Sequence, residues 1–411
     1  MNHPRLLMVG WLIDGTGQKT RRHMCIGIRN GWIDFVRPCD PALTAKGTEE
    51  IQDWSNATVL PAWIDCHVHL AMSGTTNPEE RTAQLSDEDP ERIHRIERHL
   101  TDHRRWGIVA VRDGGDRHQS VLQYCRNLAA RGIRLPVHVA TPGAAWHARG
   151  RYGQVIGRSP AAGKTLAEAI ESNWNDCPYK PDHLKIVQSG LNSLTHFAHQ
   201  TAPQFSFSEL REAVSLAHRL GLPVMAHANG ILPVSIAADV GCTSIEHGFF
   251  MGEEVLKRLA ELGTVWVPTV GTMKAYAESL PSDSAQISVA QKTLDHQLNQ
   301  LYDARRFGVR IAMGTDSGSM GVHHGRSFLE EFRLFLEAGH AVHEAAAAAS
   351  RNGAELIGLG HLGTIEVGKA AVFLRIPGPP ETIAEQLVHV VLEDFRQPAI
   401  DDDPSSGDKN R

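Results

Sequence analysis

Two histidines separated by one residue, His67 and His69, follow directly on an apolar run from Val59 to Ile64. Alternate residues of a strand share a face, so both imidazoles would point the same way and hold one metal ion at about 2.0 to 2.1 Å. In a chain with 23 histidines such a pair is weak by itself, as His323-His324 shows. Position adds weight. His227, His247 and Asp316 each close a later apolar run, and Lys185 lies inside another. A lysine among apolar neighbours is costly to charge, and burial lowers its pKa toward the neutral amine. Lys185 would then either reach the rim and pair with a carboxylate, or react with carbon dioxide to give an anionic carbamate that bridges two ions. Asp316, ahead of Gly318, would otherwise serve as a helix cap.

Something must bring these side chains together. From Val59 onward, apolar runs alternate with helical stretches, the pattern of parallel strands joined by helices. Eight runs are present: Val59 to Ile64, Ile108 to Arg112, Pro136 to Ala140, Leu184 to Val187, Pro223 to Ala226, Thr243 to Ile245, Thr264 to Val267 and Val309 to Met313. Each ends in small or polar residues, and in an α/β barrel this rim is where chemistry sits. The span from His67 to Asp316 matches the roughly 250 residues of one (β/α)8 barrel. Loops after the runs offer Trp146, His147, Arg149, Arg151, Tyr152, Asn192, His323 and His324 as substrate contacts. Arg149 and Arg151 would clasp a carboxylate, or stand as solvated surface arginines.

The chain ends read differently. Leu6 to Ile13, Cys25 to Arg29 and Trp32 to Val36 are short strands, with Asp14-Gly15 and Asn30-Gly31 as turns. Glu366 to Ile376 and Leu387 to Leu392 are strands again. The expected architecture is therefore an α/β fold: a (β/α)8 TIM-type barrel over residues 59–360, with a small β-sandwich from residues 1–58 and 361–400. Residues 401–411 form a disordered tail by composition.

The 411 residues are 42% hydrophobic and 21% charged, an ordinary globular composition. A net charge of −6 excludes the basic footprint of a nucleic-acid binder. Leu6 to Ile13 is too short to span a membrane. Six dispersed cysteines without a CxxC pair fit a reducing cytoplasm. A small-molecule substrate and self-association into a homo-oligomer are expected, with neither nucleic acid nor membrane as partner.

The full set resembles the amidohydrolase superfamily, which places HxH on strand 1, lysine on strand 4, histidines on strands 5 and 6 and aspartate on strand 8. The wording is similar to the imidazolonepropionase-like branch with its Xaa-Pro dipeptidases. It covers Leu60 to His69, Val111-Arg112-Asp113-Gly114-Gly115, Lys185 to Gly190, Ala226 to Gly230, Ile245-Glu246-His247-Gly248, Gly314-Thr315-Asp316 and Leu362 to Lys369. The chain departs from the branch at Thr141 to Gly150, where a Gly-Gly-His-Gly stretch is common, and at Leu191, where glycine is commoner.

The resemblance implies two divalent ions, zinc foremost, held by His67, His69, Lys185 as a carbamate, His227, His247 and Asp316. A bridging water would lose its proton and attack an amide C–N bond, with Asp316 as proton shuttle. The substrate would be an N-acyl amino acid, a dipeptide, or an amide or urea analogue, with His147, Arg149, Tyr152, Asn192 and His323 as contacts. The competing readings are a mononuclear deaminase, a lactone or phosphotriester hydrolase on the same scaffold, and a barrel that binds without catalysing. Against the deaminase, Gly230 stands where such enzymes place a glutamate, and Lys185 is present.

Overall fold

The computed structural model describes residues 5–40 and 50–396. The chain divides into two compact units: one takes residues up to Ile64, Arg105–Ile108 and Ala341 onward, the other Asp65–Arg104 and Val109–His340.

In the terminal unit the strands are β1 (Arg5–Leu12), β2 (Arg21–Arg29), β3 (Trp32–Pro38) and β4 (Glu50–Pro61) from the first part of the chain. Later β14 (Val372–Pro377) and β15 (Val391–Asp394) join them. They form one six-stranded sheet in the order β15-β14-β4-β1-β2-β3, in which only β1 and β4 pair parallel. The two chain ends thus meet as expected, but among the described residues they share one sheet, and no second sheet faces it as a sandwich requires. Asn30 and Gly31 turn with φ of 54° and 84°, the left-handed pair a tight hairpin demands. Asp14-Gly15 is not such a turn, since β2 begins only at Arg21 and Asp14 instead accepts from Thr16 N and Thr16 Oγ1. Leu7, Val9, Ile26, Val59 and Phe373 lie in the buried apolar core of this sheet.

Cys25 and Cys39 are disulfide-bonded, with Cα atoms 4.9 Å apart. The hairpin explains it: Cys25 pairs with Arg37 across β2 and β3, and Cys39 N donates to His23 O. Spacing in the sequence gives no sign of this pair. Helices Val342–Ala349 and Arg351–Leu356 belong to this unit, whereas the sequence reading carries the barrel domain to residue 360. The expected tail, 401–411, lies outside the described residues.

The larger unit is built on parallel strands: β6 (Ile108–Asp113), β7 (His138–Ala140), β8 (Ala145–Trp146), β9 (Gly157–Arg158), β10 (Leu184–Val187), β11 (Val224–Ala228), β12 (Ser244–His247) and β13 (Val265–Val267). The sheets run β5-β6-β7, with β5 as Trp63–Val68, and β13-β12-β11-β10-β8-β9. Helices connect most of these strands, whereas β7, β8 and β9 follow one another through loops. The first barrel-type strand is displaced from its expected place. Val59 to Pro61 end β4 of the other sheet, so β5 starts at Trp63 and contains His67 itself. Val309 to Met313 forms no ladder of its own, but Ile311 bridges Trp266 and Cys66 N donates to Met313 O at 2.9 Å. Pairing does not run continuously around a closed barrel among the described residues. No described helix is long and apolar enough to cross a membrane.

Candidate metal centre

The two-residue repeat of β5 turns Asp65, His67 and, just past the strand, His69 to one side. There they meet the segment after Met313. His67 Nε2 lies 3.4 Å and His69 Nε2 3.3 Å from Asp316 Oδ1. One ligand atom from each of the three falls within 4.8 Å of the others, a spacing that suits one cation. The His67 and His247 rings lie 4.9 Å apart between centroids, and those of His247 and His227 4.6 Å apart. Lys185, on β10, is 1% exposed, and its Nζ makes no hydrogen bond. All six expected ligands line one cavity of about 430 Å³.

Each imidazole is held by one nitrogen. His67 Nδ1 contacts Glu246 Oε2 at 2.8 Å, His247 Nδ1 contacts Thr269 Oγ1 at 2.8 Å, and His69 Nδ1 contacts Gly115 O at 3.3 Å. These leave Nε2 for an ion, the usual division of labour in metal sites. His227 is reversed: its Nε2 contacts Gly190 O at 3.2 Å, leaving Nδ1. His67 Nε2 is buried without a hydrogen-bond partner. Two buried nitrogens without hydrogen-bond partners, on His67 and Lys185, beside the Asp316 carboxylate match the chemistry of a cation site. The donor set therefore fits a divalent metal.

Electrostatics point the same way. Burial holds His67 well below its ordinary value, His227 at about 4 and His247 at about 3, so these rings are neutral with a lone pair to give. Burial also draws Lys185 down to about 8. Burial opposes ionisation of Asp316, yet its carboxyl is held low, chiefly by the hydrogen bond from His69. Asp65, raised to about 7 by burial, accepts from Thr315 Oγ1 and His67 N.

Backbone strain collects here too. His247, Thr269 and Asp316 adopt φ of 68°, 46° and 59° without being glycine, a conformation that costs on the order of 1–3 kcal/mol each and persists where surrounding structure enforces it. At Gly114 a Cβ would lie 2.4 Å from His69 Cε1, so only glycine lets that ring approach.

Arg112 and Glu246 escaped the sequence reading as site residues. Glu246 Oε1 accepts from Arg112 Nη2 at 2.7 Å and from Ser244 Oγ at 2.5 Å, and Arg112 Nε donates to Cys66 O. The signal was available: both are charged residues inside apolar strands, the criterion that singled out Lys185. Arg81 also lines the cavity and was missed, because its helix Pro78–Ala83 follows the first strand at no informative spacing.

Of the expected substrate contacts, Tyr152 and Asn192 line the cavity. His147, Arg149 and His323 do not. His147 is buried with Nδ1 on Ala148 O, Arg149 is exposed and donates to Pro160 O, and His323 is exposed. Arg151 donates to Ala202 O on the surface. The loops leave these side chains out of the cavity lining, which no strand-end argument foresees.

The sequence profile of the Amidohydrolase family matches residues 58–400. The chain is 25% identical to the imidazolonepropionase of Agrobacterium fabrum, over 88% of its own length and 85% of that protein's. A solved Xaa-Pro dipeptidase with methionine bound in its active site superposes with a TM-score of 0.77 at 25% identity, covering 93% of this chain and 96% of the other. Aspergillus niger ochratoxinase superposes at 0.75 and 21% identity, covering 97% of each chain. Likeness to these structures implies a TIM-type barrel, which the separate parallel sheets alone do not close. The chain belongs to the amidohydrolase family, hydrolases of C–N bonds, in its imidazolonepropionase-like branch.

Proposed function

We propose that the chain is a binuclear metal-dependent hydrolase that cleaves the amide C–N bond of a small molecule: an N-acyl amino acid, a dipeptide, or an amide or urea analogue. The observation that carries this reading is the convergence of His67, His69 and Asp316 beside the unpartnered amine of Lys185. His67, His69 and Asp316 would hold one ion and His227 and His247 a second, with a carbamate on Lys185 shared between them. When bound, such ions, zinc foremost, activate water and polarise a carbonyl.

The remaining work falls to the chain. Asp316 lines the cavity with its carboxyl held low, and it would take the proton of the attacking water and deliver it to the leaving nitrogen. Ser319 Oγ donates to Asp316 Oδ2 at 2.8 Å and fixes the carboxylate's second oxygen. Glu246 and Thr269 orient His67 and His247. Tyr152 packs against His227 with ring centroids 5.4 Å apart and lines the cavity.

The test is a turnover screen of the purified, metal-loaded protein against N-acyl amino acids, dipeptides, aryl amides, ureas and lactones. Amide hydrolysis abolished by chelation and restored by metal supports the reading. Release of ammonia from a purine or pyrimidine by a protein with a single ion would favour the deaminase, and turnover of lactones alone the ester hydrolase.

A further inference from the structure

The charges around the cavity choose among the amides just named, so this inference rests on the amide-hydrolase reading. Asp316 is the only acidic side chain lining the cavity among the described residues, and it is committed to His67 and His69. No carboxylate is left to receive a substrate ammonium. A cation is available for an anion. Arg81 lines the same cavity, and its Nη1 is anchored on the carbonyl oxygens of Ser73, Thr75 and Gly318 at 3.3, 3.2 and 3.4 Å. Its Nε and Nη2 are not engaged by these bonds. A guanidinium held by one nitrogen with a second edge unspent is placed to take a carboxylate.

Much of the remaining lining is apolar. Phe249 and Met273 are buried in a cluster with Leu194 and Tyr276 packed against it, and all four line the cavity, with Ile156 adding to them. Such a wall suits an uncharged hydrophobic group, and at about 430 Å³ the space admits one of aromatic size. The wall would leave an α-ammonium unsolvated and unpaired.

We infer that the substrate is an N-acyl amino acid with a bulky apolar acyl group, its free carboxylate held by Arg81, and that dipeptides, which carry an ammonium on the acyl side, are discriminated against. Three compounds isolate the two charges. Hydrocinnamoyl-alanine carries only the carboxylate, phenylalanyl-alanine adds an ammonium, and hydrocinnamoyl-alaninamide removes the carboxylate.

With the metal-loaded enzyme near neutral pH, kcat/KM for hydrocinnamoyl-alanine should exceed that of each other compound by at least about tenfold. Arg81→Gln should erase the preference for acid over carboxamide, read as the ratio of the two kcat/KM values in the same protein. That ratio is internal to each protein, so a general loss of stability in the variant does not imitate it. A dipeptide cleaved as well as its desamino partner, or an acid preference that survives Arg81→Gln, overturns the inference. If none of the three is cleaved, the amide-hydrolase reading fails for them. Calorimetry of the same compounds on the metal-loaded protein then reads the order of binding directly. Tightest binding by hydrocinnamoyl-alanine upholds the charge assignment, and equal affinities refute it.

Discussion

Glu246 Oε2 sits 2.8 Å from His67 Nδ1, both groups fully buried, and the opposite carboxylate oxygen takes the guanidinium of Arg112 at 2.7 Å. The pair fixes which nitrogen of His67 carries the proton and leaves Nε2 toward Asp316. Arg112 offsets the charge that burial would otherwise forbid. Glu246→Gln weakens both contacts, so metal affinity should fall by about 10- to 100-fold. Competition against a fluorescent chelator measures this without reference to turnover, and unchanged affinity would make Glu246 a fold element only.

Lys185 is buried with its amine unpartnered, a state that costs stability unless the group is modified or bound. Lys185→Ala should lose one ion and nearly all activity, and added short carboxylates such as acetate or propionate should partly restore both. Lys185→Arg should not rescue, because a guanidinium supplies no anionic ligand. Full activity in the alanine variant would remove Lys185 from the centre.

Asp316→Asn separates ligand from proton carrier. An amide oxygen still coordinates weakly but accepts no proton near neutral pH, so metal should largely remain while kcat falls by roughly 100-fold or more. The loss should be larger for amides than for activated esters, whose leaving groups need no proton. Amide turnover within a few-fold of wild type, with both ions bound, would leave Asp316 structural.

Away from the centre, Glu331 is buried and accepts from Val270 N and Gly271 N at the start of the helix Gly271–Ser279, which carries Met273 and Tyr276. Burial raises its carboxyl to about 8. An unfolded glutamate titrates near 4.3, so between roughly pH 4.5 and 8 the folded chain binds the extra proton and this group's contribution falls as pH rises. Glu331→Gln removes the titration. The wild-type Tm should therefore drop relative to the variant by at least roughly 2 °C between pH 5 and 8. A Tm difference that does not change with pH contradicts the assignment.

Much of this centre was readable because the signals are local. Strand alternation placed His67 with His69, and strand ends placed His227, His247 and Asp316. What escaped depends on long-range partners. Val59 to Pro61 look like the start of a barrel strand, yet they end β4 in the terminal sheet, because pairing with β14 decides their place. Cys25 meets Cys39 only through the β2–β3 register. Arg149 and Arg81 are equally plausible as sequence, but carbonyls at Ser73, Thr75 and Gly318 draw one to the cavity while Pro160 O holds the other at the surface.

The most direct test is to titrate zinc into metal-stripped protein while counting bound ions by mass spectrometry and following amide hydrolysis. Two ions per chain at saturation are predicted, with activity completed only by the second, and with Lys185→Ala unable to retain both. Full amide hydrolysis at one ion per chain, or hydrolysis that survives complete chelation, would contradict the binuclear centre.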